Sequence, residues 1–210
     1  MIISLVSQKG GVGKSTIATN LAGGYACNGL SVMLVDADPQ KTSYRWAKDR
    51  KEEKLPEVAS RQAKGDIAPM LSSFAQDYQI VLADTPGRDS KEMISGLSVA
   101  DIAIMPLYPS QPDMDTIETL VINIAAAKKV NSNLKAYILL TRVATHPKNT
   151  EKDVALDIIK GYKTLAAAKT LIHDRKGYRD AISEGRCVIE IKAGKAQQEI
   201  ISLAKEIQSW

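Results

Sequence analysis

A chain of 210 residues with 44% apolar content is long enough for one compact domain with a substantial core and short for two, so a single domain over residues 1–210 is expected. Its net charge of +4 is mildly basic, which permits contact with nucleic acid without requiring it, and no apolar run approaches the length of a membrane span. Two distant cysteines, Cys27 and Cys187, form no C-x-x-C and suggest neither a disulfide framework nor a metal cage; with no signal peptide in view, a reduced, cytoplasmic setting is expected.

The first predicted element is an apolar strand at residues 2–7 that runs directly into Gln8-Lys9-Gly10-Gly11-Val12-Gly13-Lys14-Ser15-Thr16. A helix follows, with Ile17, Leu21 and Tyr25 on one face and Gly29 ending it. Strand, glycine loop and helix in that order are the context of a phosphate-binding loop. Glycines let successive N–H groups turn around phosphate oxygens, and the helix N-terminus adds its partial positive charge. The backbone of Gly10, Gly11, Val12 and Gly13 would cradle ATP phosphates, Lys14 would contact the β/γ-phosphates, Ser15 would ligate Mg²⁺ and Thr16 would reach the α-phosphate. The strict G-x-x-x-x-G-K-[ST] pattern fails at its first glycine, where Gln8 stands, and a second lysine, Lys9, precedes the glycine pair.

Further strands are predicted at residues 31–35, 79–83, 102–107 and 136–140. Amphipathic helices run through Ile67, Met70, Leu71, Phe74 and Tyr78, and through Ile117, Leu120, Val121 and Ile124. This alternation predicts an α/β fold, a mainly parallel twisted sheet flanked by helices. Asp36 and Asp38 follow the second strand and Asp84 the third, at the strand ends where ligands bind in open α/β sheets. Beside a phosphate loop, Asp84 can hold a Mg²⁺-bound water. The charged stretch at residues 48–54 is predicted to be a solvated helix end or loop, and His146 and His173, with no nucleophile motif around them, to be surface or structural. The last helix, from Ala196, places Ile200, Leu203 and Ile207 on one face; its net negative charge predicts docking on the core and no stable membrane association.

Lys9-Gly10-Gly11-Val12-Gly13-Lys14-Ser15 resembles the deviant Walker A signature of the ParA/MinD ATPases, P-loop NTPases of a single domain. The resemblance runs from Ile2 through the last helix and is nearest to the small, ParF-like plasmid partition ATPases, which share Asp38-Pro39-Gln40 followed by Trp46, and Tyr108-Pro109-Ser110-Gln111-Pro112-Asp113. It implies that Lys9 reaches the partner's nucleotide in an ATP-bound homodimer, making Lys9, Lys14 and Asp38 catalytic. It also implies that Asp38 positions the attacking water, with Asp36 near the metal shell of Ser15 and Asp84, although the residues themselves do not separate the two aspartates. Residues 39–43 and 85–88 resemble switches I and II, while Pro109, Asp113, Thr141 and Arg142 resemble the adenine-flanking regions.

The function implied is DNA partition: slow ATP hydrolysis, nucleoid association through non-specific double-stranded DNA, and stimulation by a ParB-like or small centromere-binding adaptor. A strand starting at Ile2 predicts a chain without the N-terminal helix-turn-helix domain of larger partition ATPases. Residues 169–195 hold seven basic against four acidic side chains, so Arg175, Lys176, Arg179, Lys192 and Lys195 are candidate DNA contacts, a solvated charged surface being the equal alternative. Other readings are a positioning ATPase for a protein cargo or conjugation complex, and a MinD-like membrane-associated ATPase.

Overall fold

The apolar runs at the predicted strands are continuous because both faces of the central strands are covered. In β1 (Ile2–Ser7), Ile2 and Val6 enter one core while Ile3 and Leu5 enter the other. A computed structural model describes residues 1–146 and 150–210. After β1 come α1 (Lys14–Cys27), β2 (Val32–Asp36), α2 (Thr42–Glu52), β3 (Ala59–Gln62), α3 (Ala68–Asp77), β4 (Ile80–Gly87) and α4 (Lys91–Leu97). The second half contributes β5 (Ile102–Leu107), α5 (Gln111–Met114), α6 (Ile117–Val130), β6 (Lys135–Leu140), α7 (Glu151–Lys160), β7 (Ala166–Ala167), α8 (Lys176–Ser183) and α9 (Lys195–Ser209).

Among the described residues these strands form one parallel sheet in the order β3-β2-β4-β1-β5-β6-β7. Leu71 of α3, Met93 and Leu97 of α4, and Leu120 and Ile124 of α6 pack on one face. Ile17 and Leu21 of α1, Trp46 of α2, and Ile200, Leu203 and Ile207 of α9 pack on the other. Helix α1 buries Ile17, Leu21 and Tyr25 as their spacing predicts, and Gly29, at φ 77°, takes the left-handed turn just beyond it. Helix α9 docks on the core as expected, and Trp210 stacks on Tyr137 with ring centroids 3.7 Å apart.

Three features depart from the sequence reading. Strand β4 continues to Gly87, because Ser7 pairs with Gly87 and the Arg88 N–H donates to Ser7 O at 3.0 Å; most of the expected switch II is therefore strand. Glycine suits this close approach, since a Cβ on Gly87 would lie 3.1 Å from the Lys9 carbonyl carbon and push the phosphate loop aside by a few tenths of an ångström. The edge strands β3 and β7 escaped notice because one is polar and partly exposed and the other is two residues long. Finally, the 48–54 stretch is the exposed end of α2, as expected, except at Arg50, which is 1% exposed. Its guanidinium donates to Glu190 Oε2 at 2.7 Å and Oε1 at 2.8 Å, and its Nε to Pro56 O at 2.7 Å. Burial of a charge requires this pairing, and the partner lies 140 residues away.

Candidate active site

The loop after β1 turns at Gly11 (φ 79°) and Gly13 (φ 97°), and Gly13 caps α1, so the first turn of that helix points its free N–H groups into the cleft. Thr141 Oγ1 donates to Val12 O at 2.7 Å, fastening the loop to the end of β6. Lys14 is buried; its Nζ donates to Ser7 Oγ at 2.7 Å and to Lys9 O at 3.4 Å. Burial lowers its pKa, against the opposing charges of Asp84 and Asp38. The loop therefore carries a preformed cation within a ring of backbone donors, an anion-binding arrangement.

Asp36 and Asp84 lie side by side in register on β2 and β4. Asp84 is fully buried, and among the described residues neither oxygen accepts a hydrogen bond. Burial pushes its carboxyl up to about 7; the Ser15 and Ser43 hydroxyls and the Lys14 charge ease its ionisation without making a hydrogen bond of normal geometry to it. A buried, partnerless carboxylate near a phosphate-loop serine fits a hydrated divalent cation, which would supply what the protein does not.

Geometry separates the two aspartates that the sequence left together. Asp36 Oδ1 accepts from the Asp38 N–H at 3.0 Å and Oδ2 from the Tyr44 N–H at 2.8 Å. Its carboxylate thus braces the 37–44 segment while standing in register beside Asp84, whose ionisation its charge opposes. Asp38 Oδ1 accepts from the Gln40 N–H at 2.8 Å, and the side chain is partly exposed in the phosphate cleft with Lys14, Ser15, Gln40 and Thr42, where a carboxylate can orient a water against a terminal phosphate.

A second cleft adjoins the loop, with Gly11, Gly13 and Thr16 at its base and Thr141 and Arg142 on one wall. The opposite wall, His173 to Arg175 with Tyr178 and Arg179, was not anticipated. A parallel bridge between Val143 and His173 puts it there, and Glu199 of α9 holds it: its carboxylate meets His173 Nδ1 and Arg175 Nε at 2.8 Å and the Tyr178 hydroxyl at 2.9 Å. The signal available in the sequence was position, since this segment follows the last strand at the same end of the sheet.

Pro109 and Asp113 do not line this cleft. Pro109 is buried, and Asp113 turns inward on the short α5, where its Oδ2 accepts from Ser110 Oγ at 2.8 Å and meets Lys9 Nζ at 3.5 Å. Within the chain, Asp113 is thus a partner of Lys9. The basic segment is also less free than its count implies. Arg175 pairs with Glu199, Lys176 with Asp180 and Arg179 with Asp174, each at 2.7 Å, while Lys192 and Lys195 are exposed.

Residues 3–188 match the model of the CobQ/CobB/MinD/ParA nucleotide binding domain. A maintenance of carboxysome distribution protein A of Halothiobacillus neapolitanus is 28% identical, over 98% of this chain and 95% of the relative. The MinD cell division protein of Aquifex aeolicus superposes with a TM-score of 0.78 at 20% identity, covering 100% of this chain and 97% of that one. A putative plasmid partition protein of Borrelia burgdorferi, bound to AMPPNP, superposes with a TM-score of 0.74 at 17% identity, covering 99% and 98%. With most of its length matching that model and a glycine loop, buried lysine and buried aspartate converging at one end of a parallel sheet, the chain belongs to the CobQ/CobB/MinD/ParA nucleotide-binding family.

Proposed function

We propose that this chain is a ParA-like positioning ATPase that closes into a homodimer on ATP·Mg²⁺, binds duplex DNA of any sequence in that form, and hydrolyses ATP slowly until an adaptor stimulates it. The observation that carries the reading is Asp84, buried without a hydrogen bond beside the phosphate loop. Ser15 and Asp84, with Asp36 near the shell, would hold Mg²⁺, which neutralises phosphate charge when bound. Lys14 and the loop N–H groups bind the phosphates, and Asp38 orients the attacking water. Lys9, released from Asp113, would supply its charge to the partner's nucleotide.

Asp38→Ala is expected to keep ATP affinity while turnover falls at least about tenfold, an added barrier of about 1.4 kcal/mol, and to accumulate as dimer. Phosphate release together with light scattering in ATP reads both; wild-type turnover in the variant overturns the role of Asp38.

The adaptor's cargo is proposed to be DNA, through a ParB-like or small centromere-binding protein, with nucleoid association as the consequence. A protein cargo is the second reading, favoured by the carboxysome-distribution relative. DNA binding is expected with ATP and much weaker without it, because dimerisation doubles the exposed Lys192 and Lys195 and linked weak sites gain effective concentration. The log–log salt slope should be about −0.9 per phosphate neutralised. Lys192→Glu with Lys195→Glu should weaken binding to unrelated duplexes alike; Arg179 is unsuited to this test because it lines the cleft beside the loop. Gel shifts showing equal binding without nucleotide would remove DNA from the proposal.

A further inference from the structure

Cys27 and Cys187, 160 positions apart in the chain, meet at the far end of the phosphate-loop helix. Gly23 and Cys27 lie one turn apart on the same face of α1. Cys187 packs directly on Gly23: a Cβ at that glycine would stand 2.8 Å from Cys187 Cβ and 3.1 Å from its Sγ. The notch left by glycine thus seats Cys187 within a turn of Cys27, and the two sulfurs and a Glu190 carboxylate oxygen lie within 4.8 Å of one another. Cys27 Sγ donates to Glu190 Oε1 at 3.4 Å. The segments are already held in register, because the Val188 N–H donates to Asn20 Oδ1 at 2.8 Å.

A soft metal ion is the weaker occupant of this cluster. Both Glu190 oxygens are engaged by the buried Arg50 guanidinium, and Oε2 also accepts from the Cys187 N–H at 2.8 Å. An added cation would have to displace those bonds beside a fixed positive charge. Two thiols in contact, one exposed and one buried, instead match an attacking and a resolving cysteine.

We propose that Cys27 and Cys187 are an oxidisable dithiol, a modification site at which a small disulfide oxidant closes an intramolecular bond between the C-terminus of α1 and the segment before α9. The Cys27 thiolate attacks the oxidant, forming a mixed disulfide and releasing one small thiolate. Cys187, deprotonated, then attacks the Cys27 sulfur and expels the second small thiolate. Two protein thiols thereby lose two protons and two electrons, and the oxidant leaves as two thiols. The order of attack follows the environment. The neighbouring Cys187 thiol holds the Cys27 thiol below the usual range against burial and the Glu190 charge, while the Cys27 thiol and burial push Cys187 up.

The test uses the full-length protein exposed to oxidised glutathione, acid-quenched, alkylated and weighed intact. Wild type is expected to lose both reactive thiols together, its mass falling by two hydrogens, with a peptide linking Cys27 to Cys187 after digestion. Cys27→Ser, at an exposed position that should leave folding intact, is expected to lose that species entirely. Cys187→Ala is expected to accumulate a glutathione adduct at Cys27 that wild type resolves. The proposal is overturned by a persistent Cys27 adduct in wild type, by a disulfide between two chains through Cys27, or by both thiols alkylating as fast after oxidant as before. It is equally overturned if Zn²⁺ alone at equimolar concentration shields both thiols while oxidant does not join them.

Discussion

Lys14→Ala is expected to weaken ATP binding at least about tenfold and to lower turnover about 10²–10³-fold. The Lys14 ammonium is buried against Ser7 and the Lys9 carbonyl, so it is positioned before nucleotide arrives and loses little freedom on binding. A charge-assisted hydrogen bond in such a site is worth about 1.5–3 kcal/mol to the ground state. A donor aimed at charge that develops in the transition state is worth about 2.7–4 kcal/mol. Titration of a fluorescent ATP analogue reads the first effect and phosphate release the second. Unchanged affinity would mean that the glycine loop is not the nucleotide site, whatever the turnover. Lys14→Arg should rescue poorly, because a planar guanidinium fork does not reproduce the point contacts that Nζ makes with Ser7 Oγ and Lys9 O.

Glu190→Ala is expected to cost about 3–5 kcal/mol of folding stability, because it strands the Arg50 guanidinium in the core. In a chain of this size that corresponds to a fall in Tm of roughly 6–20 °C, at about 2–4 °C per kcal/mol. The loss comes from the unpaired charge rather than from the pair's net worth, so Arg50→Met in the Glu190→Leu background should recover much of it. Thermal melts of the single and double variants separate the two explanations: equal melting of single and double would show that the charge is not what is being lost.

The same pair gives a pH dependence. Burial alone would raise the Glu190 carboxyl, but the Arg50 hydrogen bonds, the Cys187 N–H and the Arg50 charge bring it below the ordinary range. A carboxyl lowered in the folded state contributes stability that is fully present above its unfolded value of about 4.3 and is lost as pH falls through the folded value. Acid melts of wild type should therefore steepen below about pH 4, and this component should vanish in the double variant.

What could be read from the sequence was what contiguous residues determine. Lys9 to Thr16 specify a turn, a helix start and a cation within one short segment, and backbone conformation there depends on glycine at Gly11 and Gly13 more than on anything distant. The central strands were equally visible, because burial on both faces makes an unbroken apolar run. Asp84 was found for the same reason, as the acid that follows such a run.

Everything that required two distant segments to meet was decided by tertiary structure. Asp36 and Asp38 are chemically alike and two residues apart; only the folded loop ties both oxygens of Asp36 to the Asp38 and Tyr44 N–H groups and holds Asp38, by one oxygen on the Gln40 N–H, in the phosphate cleft. Arg50 reads as surface until Glu190 is placed against it, Asp113 and Lys9 as unrelated until α5 brings them together, and Cys27 and Cys187 as unrelated until Gly23 seats Cys187 beside α1. Local propensity and periodicity carry no term for such pairs, because the contact that makes burial of a charge or a thiol tolerable exists only after the sheet order has brought its partner into place.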